Sequence, residues 1–158
     1  MVLSKWFLVL SVALSANSAW ADQSTKLQRL LETSACQGCA LAGLNIGLYD
    51  LRNVDLSRAD LSKAYLVNTD LRGANLNNAN LRGAYMNGTR LLGARLVGAN
   101  FTGAELELTD FTGAILEDVE LSRAYLLHAL VTVEQLNGAR LCKTVMPDAS
   151  ISNRDCEN

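Results

Sequence analysis

The stretch from Asp70 to Met86 reads DLRGANLNNANLRGAYM and repeats itself every five residues. Each unit has a large apolar residue at its centre and a small residue two positions earlier. An α-helix brings apolar residues three or four apart onto one face, and a β-strand brings residues two apart onto one face. A period of five fits neither element, so the stretch indicates a repeat architecture.

The same register extends in both directions along the chain. Steps of five from Leu41 to Val131 reach 19 centres, and every centre is apolar. They are Leu41, Ile46, Leu51, Leu56, Leu61, Leu66, Leu71, Leu76, Leu81, Met86, Leu91, Leu96, Phe101, Leu106, Phe111, Leu116, Leu121, Leu126 and Val131.

Each unit is consistent with a short extended side followed by a corner. The small residue, which from position 59 onward is Ala or Thr except at Val119, lies two before the centre. Residues two apart point to the same side of an extended segment, so both face inward. Gly recurs two residues after the centre, where the chain must turn. Sides joined by corners in one sense wind into a solenoid.

Two further coincidences predict about four units per coil. Thr69, Thr89 and Thr109 are the only threonines at the small inward position, and they are 20 residues apart. Tyrosines immediately before a centre also recur at multiples of 20. Residues 20 apart are therefore expected to stack like cross-strand neighbours, with hydrogen bonds between threonines. Fewer than five coils, at about 4.8 Å each, predict a rod of roughly 23 Å.

Units such as ADLSK, ANLNN, ANLRG and ANFTG resemble the A(D/N)LXX motif of the pentapeptide-repeat proteins. This resemblance implies an all-β fold, a right-handed quadrilateral parallel β-helix, with the Leu or Phe centre filling the core. The tail LCKTVMPDASISNRDC, residues 141–156, resembles the end of exported pentapeptide-repeat proteins of cyanobacteria.

The chain start is typical of a secretory signal. Lys5 precedes an apolar run, and Ala19-Trp20-Ala21 has the small-x-small form of a cleavage site. Residues 1–21 are therefore predicted to be a cleaved signal peptide, because the apolar run is too short to span a bilayer. Cleavage removes one of 14 basic residues and changes the net charge from -2 to -3. This mild charge gives no basic footprint for nucleic acid.

Short helices are expected to cap both ends of the solenoid. Residues 22–36 form the first cap, with a helix from about Thr25 to Thr33 that begins at a Thr25/Gln28 capping box. Residues 37–131 form the β-helix, and its first coil is expected to be distorted because Tyr49 is too large for the small position. Residues 132–158 form the second cap, with a Thr132/Gln135 capping box and a helix near 133–138.

Four cysteines flank the repeats, and three disulfide pairings are open to them. The favoured interpretation is two structural disulfides, Cys36–Cys39 and Cys142–Cys156. The alternative is a redox-active CxxC at Cys36 and Cys39, although such sites place the reactive thiol at a helix N-terminus. A zinc site is weaker, because one CxxC supplies only two ligands.

Nothing in the sequence indicates an enzyme. His128 is the only histidine and is expected on the surface, and no phosphate loop or HExxH motif is present. A regular solenoid places its many carboxylates on flat outer faces without a cleft. No catalytic residue, metal or cofactor is predicted.

The outer faces carry the best candidate site. One predicted column contains Tyr65, Tyr85 and Tyr125, flanked by Val67 and Leu127. Exposed aromatic residues on a flat rigid face are typical of protein interfaces, so these five residues are the predicted partner face. The next column reads Asp50, Asp70, Arg90, Asp110, which predicts that Arg90 lies between two aspartates.

The sequence therefore favours an exported, non-enzymatic structural or protein-interaction module, located in the periplasm or the thylakoid lumen. We expect a monomer that binds another protein, with no nucleic acid and no membrane contact after cleavage. One alternative is a thiol–disulfide active protein acting through Cys36 and Cys39. A further alternative is a DNA-mimicking inhibitor of DNA gyrase, the activity of one branch of the family that the chain resembles.

Overall fold

The computed structural model describes residues 18–157 and shows a four-sided solenoid between two caps. The order of elements is α1 (Ser18–Thr33), the solenoid, α2 (Val133–Leu136), β1 (Thr144–Val145) and β2 (Ile151–Ser152). The predicted signal peptide lies outside the described residues except for its last four, which begin α1. No helix within residues 18–157 is long and apolar enough to cross a membrane.

Parallel bridges join residues 20 apart along the solenoid, as the threonine and tyrosine spacing predicts. The bridges form four columns of outward-facing residues, which define its four sides. Side 1 runs from Asn45 to Val145, side 2 from Asp50 to Leu130, side 3 from Ala35 to Ile115 and side 4 from Ala40 to Arg140.

Each coil is bonded to the next in the same way. The N–H of Leu71 donates to the carbonyl oxygen of Arg90 at 2.8 Å, and the N–H of Arg90 donates back to Thr69 at 3.0 Å. Each corner is closed by a turn such as that from Leu71 to Ala74, whose N–H···O bond is 3.0 Å long. The third residue of that turn, Gly73, has φ of +67°, as a type II turn requires.

The core consists of the centres and the small residues that precede them, nearly all of them completely buried. The buried threonines behave differently from the prediction, because they do not bond to one another. Thr69, Thr89 and Thr109 each donate to the carbonyl oxygen of a centre in the preceding coil, at 2.7–2.9 Å. A carbonyl oxygen has two lone pairs, so it accepts this bond as well as the one that closes its own turn.

The first cap differs from the prediction in its bounds and in how it begins. Helix α1 begins at Ser18, so Thr25 is an interior residue and the Thr25/Gln28 capping box is wrong. The side chain of Gln28 instead donates to Glu32, one turn along the helix, at 2.9 Å. Leu30 is fully buried over the first coil, but Leu31, predicted to share its stripe, is 43% exposed.

The first coil keeps the regular ladder despite its large residue. The N–H of Asp70 donates to the carbonyl oxygen of Tyr49 at 3.0 Å, as in later coils. The Tyr49 side chain is 38% exposed, because no earlier coil encloses it. The predicted distortion is therefore replaced by exposure of the ring at the open end.

The solenoid also extends further than residues 37–131. The bridges begin at Ala35 and end at Val145, which makes five and a half coils and a rod of roughly 26 Å. Helix α2 replaces the last segment of side 3 and has the predicted Thr132/Gln135 capping box. The boundary at 131 was misplaced because the register resumes at Leu136 and Leu141 after the helix begins.

Candidate interaction surface

The tyrosine column is the set of outward residues on side 1 that was predicted to bind a partner. The bridges place Asn45, Tyr65, Tyr85, Glu105 and Tyr125 in consecutive coils. The rings of Tyr65 and Tyr85 stack with centroids 4.7 Å apart and planes 10° from parallel. That separation matches the spacing of adjacent strands, so the solenoid backbone sets the stack.

The Tyr65 ring has one covered and one open face. Tyr85 covers the face toward the next coil, and the neighbour on the other side is the short side chain of Asn45. The Asn45 Oδ1 atom accepts a hydrogen bond of 3.2 Å from Gly47, which draws it toward its own backbone. Tyr65 is accordingly 48% exposed, and half-buried Val67 lies beside it on the following corner.

The predicted partner face is divided by polar residues. Glu105 separates Tyr85 from Tyr125 in the column, and Asn87 and Glu107 separate Val67 from Leu127 on the corner. Asn87 donates to the Glu105 carboxylate at 3.3 Å and accepts from the backbone N–H of Glu107 at 3.0 Å. Tyr65, Val67 and Tyr85 therefore form one unit, which we call the Tyr65–Tyr85 surface.

The residues between the two aromatic units form an acidic hollow. A cavity of about 470 Å³ is lined by Asn87, Glu105, Glu107, Arg123 and Tyr125, together with backbone. Neither Glu105 nor Glu107 forms an ion pair within residues 18–157. The hollow consequently carries uncompensated negative charge next to Tyr85.

The charged column on side 2 differs from the prediction. Asp70 forms its ion pair with Arg72, at 2.7 Å, rather than with Arg90 in the next coil. Asp50 pairs in the same way with Arg52 at 2.6 Å, and hydrogen bonds from Arg52 lower the pKa of Asp50 to about 2. The arginine two residues along wins because it lies on the same corner and bonds the carboxylate through two nitrogens.

The two disulfides close turns at the ends of the solenoid. Cys36–Cys39 spans the first corner, and Cys142–Cys156 ties the last corner to the tail. Cys36 is a buried centre of the register, 3% exposed, and follows the C-terminal end of α1. This is the opposite of the helix N-terminal position that activates a CxxC thiol.

Other candidates for chemistry are absent from the described part of the chain. No group of three or more His, Cys, Asp or Glu within residues 18–157 could hold a metal ion. His128 lies exposed at a corner with φ of +57°, and its backbone N–H donates to Pro147 at 3.0 Å. Its place is that of a turn residue.

The sequence interpretation missed the side chains that replace missing backbone. Gln135 of α2 donates to the carbonyl oxygens of Phe111 and Ala114 at 2.8 and 2.9 Å. Arg154 in the tail donates to the carbonyl oxygens of Leu136 and Ala139. Their only sequence signal is position, because both follow the point where the regular units end.

The comparisons with known proteins agree with this geometry. The family model for pentapeptide repeats matches residues 50–88, 79–118 and 89–126. The pentapeptide repeat protein Rfr23 from the cyanobacterium Cyanothece 51142 has a solved structure and is 30% identical. The alignment covers 78% of this chain and 92% of that one, with a TM-score of 0.66. This chain belongs to the pentapeptide-repeat proteins.

Its solenoid is thus the right-handed quadrilateral β-helix of pentapeptide-repeat proteins, which are generally structural or interaction modules. A pentapeptide-repeat protein from the Arabidopsis thaliana thylakoid lumen is 28% identical. It aligns over 66% of this chain and 82% of its own, with a TM-score of 0.49. No curated protein matches the chain.

A third pentapeptide-repeat structure shares the fold alone. Trypsin-treated QnrB1, a plasmid-mediated fluoroquinolone resistance protein, is 19% identical and has a TM-score of 0.58. The alignment covers 75% of this chain and 58% of QnrB1.

Proposed function

We propose that this pentapeptide-repeat protein is an exported binding module that engages another protein through the Tyr65–Tyr85 surface. The observation that carries the proposal is the stacked pair at 4.7 Å, held on a rigid ladder, with Tyr65 48% exposed. Aromatic side chains that are fixed before binding lose little conformational entropy on association, which is why they dominate interface energetics.

The chemistry around the surface favours a partner with a basic or aromatic side chain. The open face of the Tyr65 ring can accept an arginine or an aromatic ring in a continued stack. The unpaired carboxylates of Glu105 and Glu107 lie on the other side of Tyr85 and attract positive charge. A partner segment that presents arginine is therefore the best fit.

Export rests on two observations. The sequence has a signal-like start, and disulfides such as the two in this structure persist in oxidising compartments. We propose the periplasm or the thylakoid lumen as the location. N-terminal sequencing of protein from the native exported fraction is expected to begin at Asp22. Recovery of a chain that retains residues 1–21 would contradict cleavage at Ala21.

The two alternatives have less support. Cys36 is buried at the end of a helix, so a thiol–disulfide enzyme lacks the activated thiol that it needs. A DNA mimic needs dense, uncompensated negative charge. Here several carboxylates, among them Asp50 and Asp70, are paired with arginines.

The test compares the wild type with Tyr65→Ser/Tyr85→Ser in a pull-down from the native exported fraction. Tyr49→Ser is the matched control, because Tyr49 is an exposed tyrosine outside the column. Circular dichroism establishes that all three proteins are folded. We expect a partner that the wild type and the control retain and the double variant loses.

The affinity of that purified partner then decides the mode of binding. We expect Tyr65→Ser/Tyr85→Ser to weaken it at least about tenfold, as truncation of central aromatic residues does. Glu105→Gln should weaken it less, and mainly at low salt. If the double variant captures the same proteins as the wild type, the stack is only packing between coils and the proposal is wrong.

A further inference from the structure

A second exposed apolar cluster lies away from the tyrosine column, at the corner between sides 2 and 3. We call it the corner surface, and it consists of Leu92, Ile115, Leu130 and Val133. Their side chains are 45%, 39%, 59% and 74% exposed. Contiguous exposed apolar residues of this kind mark interaction sites in soluble proteins.

The corner surface has both a protrusion and a hollow. Leu92 occupies the first position of its turn and projects from the third coil. Further along the rod, a cavity of about 320 Å³ is lined chiefly by Thr112, Gly113, Leu130 and Gln135. It lies where α2 departs from the regular path of the coil, and it is wide enough to receive an aliphatic side chain.

Charge is distributed unequally along this surface. Arg90 and Arg95 flank Leu92 in the third coil, and both are exposed. Glu117 and Glu134 are exposed toward the C-terminal end of the rod, one to two coils away, which is roughly 5 to 10 Å. None of these four residues forms an ion pair within the described part of the chain.

We propose that the corner surface binds a second copy of this chain in an antiparallel, two-fold arrangement. A two-fold axis near Gly113 brings the arginines of one copy opposite the glutamates of the other. The same operation brings Leu92 of each copy to the hollow of the other. An isologous interface must be self-complementary in this way, whereas a parallel arrangement would place like charges together.

The ends of the rod do not offer the same opportunity. The tail closes the C-terminal end with side chains, and α1 covers the core at the first coil. Association along the side is therefore the route that the fold leaves open. This inference does not rest on the proposed function, because the Tyr65–Tyr85 surface lies on side 1.

The test is sedimentation equilibrium on protein purified from the exported fraction, between about 1 and 500 µM, the range of a small transient interface. We expect a reversible dimer. Leu92→Ser/Val133→Ser should raise its dissociation constant at least about tenfold, or about 1.4 kcal/mol. The control is Leu48→Ser, since Leu48 is 80% exposed at a different corner.

Charge reversal provides a second test that does not depend on removing apolar side chains. Arg95→Glu and Glu134→Lys should each weaken the dimer, and the combined variant should restore it, because the pair is made across the axis. A protein that stays monomeric over the whole range overturns the proposal. So does a dimer that neither the corner variants nor the charge reversals affect.

Discussion

The carboxylate of Asp155 accepts a hydrogen bond of 2.8 Å from the backbone N–H of Leu141. In every regular coil that N–H donates to a carbonyl oxygen of the following coil. Asp155 thus takes the place of a coil that does not exist. Asn153 does the same for Lys143 at 3.3 Å, and Arg154 supplies donors to carbonyl oxygens on the neighbouring side.

Loss of this substitution should uncap the last coil. We expect Asp155→Ala to lower the melting temperature and to speed amide exchange at Leu141 on the order of tenfold, because local opening precedes exchange. Hydrogen exchange read by NMR or mass spectrometry measures this. Glu157→Gln is the control, since Glu157 pairs only with exposed Arg140 in the same cap. Equal exchange in the two variants would show that the carboxylate does not close the edge.

The buried threonines predict a second stability effect. Thr89→Val keeps the shape of the side chain but removes the hydrogen bond to Leu66, so it should destabilise by about 1 kcal/mol. Thr89→Ser should retain the bond and lose only a methyl group. Urea denaturation measures both, with exposed Thr112→Val as the control. A Val variant as stable as the wild type would mean that the carbonyl needs no second donor.

Gln135 predicts a larger effect from a residue near the surface. Its side chain bonds two carbonyl oxygens of the preceding coil and also accepts from the N–H of Thr132. Gln135→Leu removes all three bonds, and each unsatisfied group costs about 1–3 kcal/mol where water cannot replace the bond. We expect a loss of several kcal/mol by chemical denaturation. Glu134→Ala on the same helix should cost much less.

Acid should destabilise the solenoid in a defined window. Hydrogen bonds from the Ser62 side chain and backbone lower the pKa of Asp60 below its ordinary value of 3.8. The pKa of Asp50 is lowered to about 2, first by the Arg52 side chain. A lowered folded-state pKa stabilises the fold above the unfolded-state pKa, and this contribution is lost as pH falls through the folded-state value.

The urea midpoint should therefore be constant above about pH 5 and fall between about pH 4 and pH 2. Measurements at constant ionic strength check this. Asp60→Asn should flatten part of the slope, because it removes one group whose pKa changes on unfolding. A midpoint that rises on acidification would contradict the sign of these shifts.

Much of the fold followed from the pentapeptide pattern. The columns were predictable because a solenoid with 20 residues per coil makes position in the sequence equivalent to position in space. The placement of Tyr65 over Tyr85 therefore follows from their spacing alone. The ion pair of Arg90 was not predictable in this way. Column position gives proximity but does not show that Arg72, on the same corner as Asp70, competes more effectively.

The sequence by itself determined the repeat, its register, the number of sides and the identity of the buried residues, because each depends on local turns and a period of five. Only the tertiary structure decided where the solenoid ends, how the ends are satisfied and which outer residues form one surface. Those features depend on side chains that replace absent backbone, such as Gln135, Arg154 and Asp155. Such replacements occur only once the coils are stacked, so no local pattern in the sequence records them.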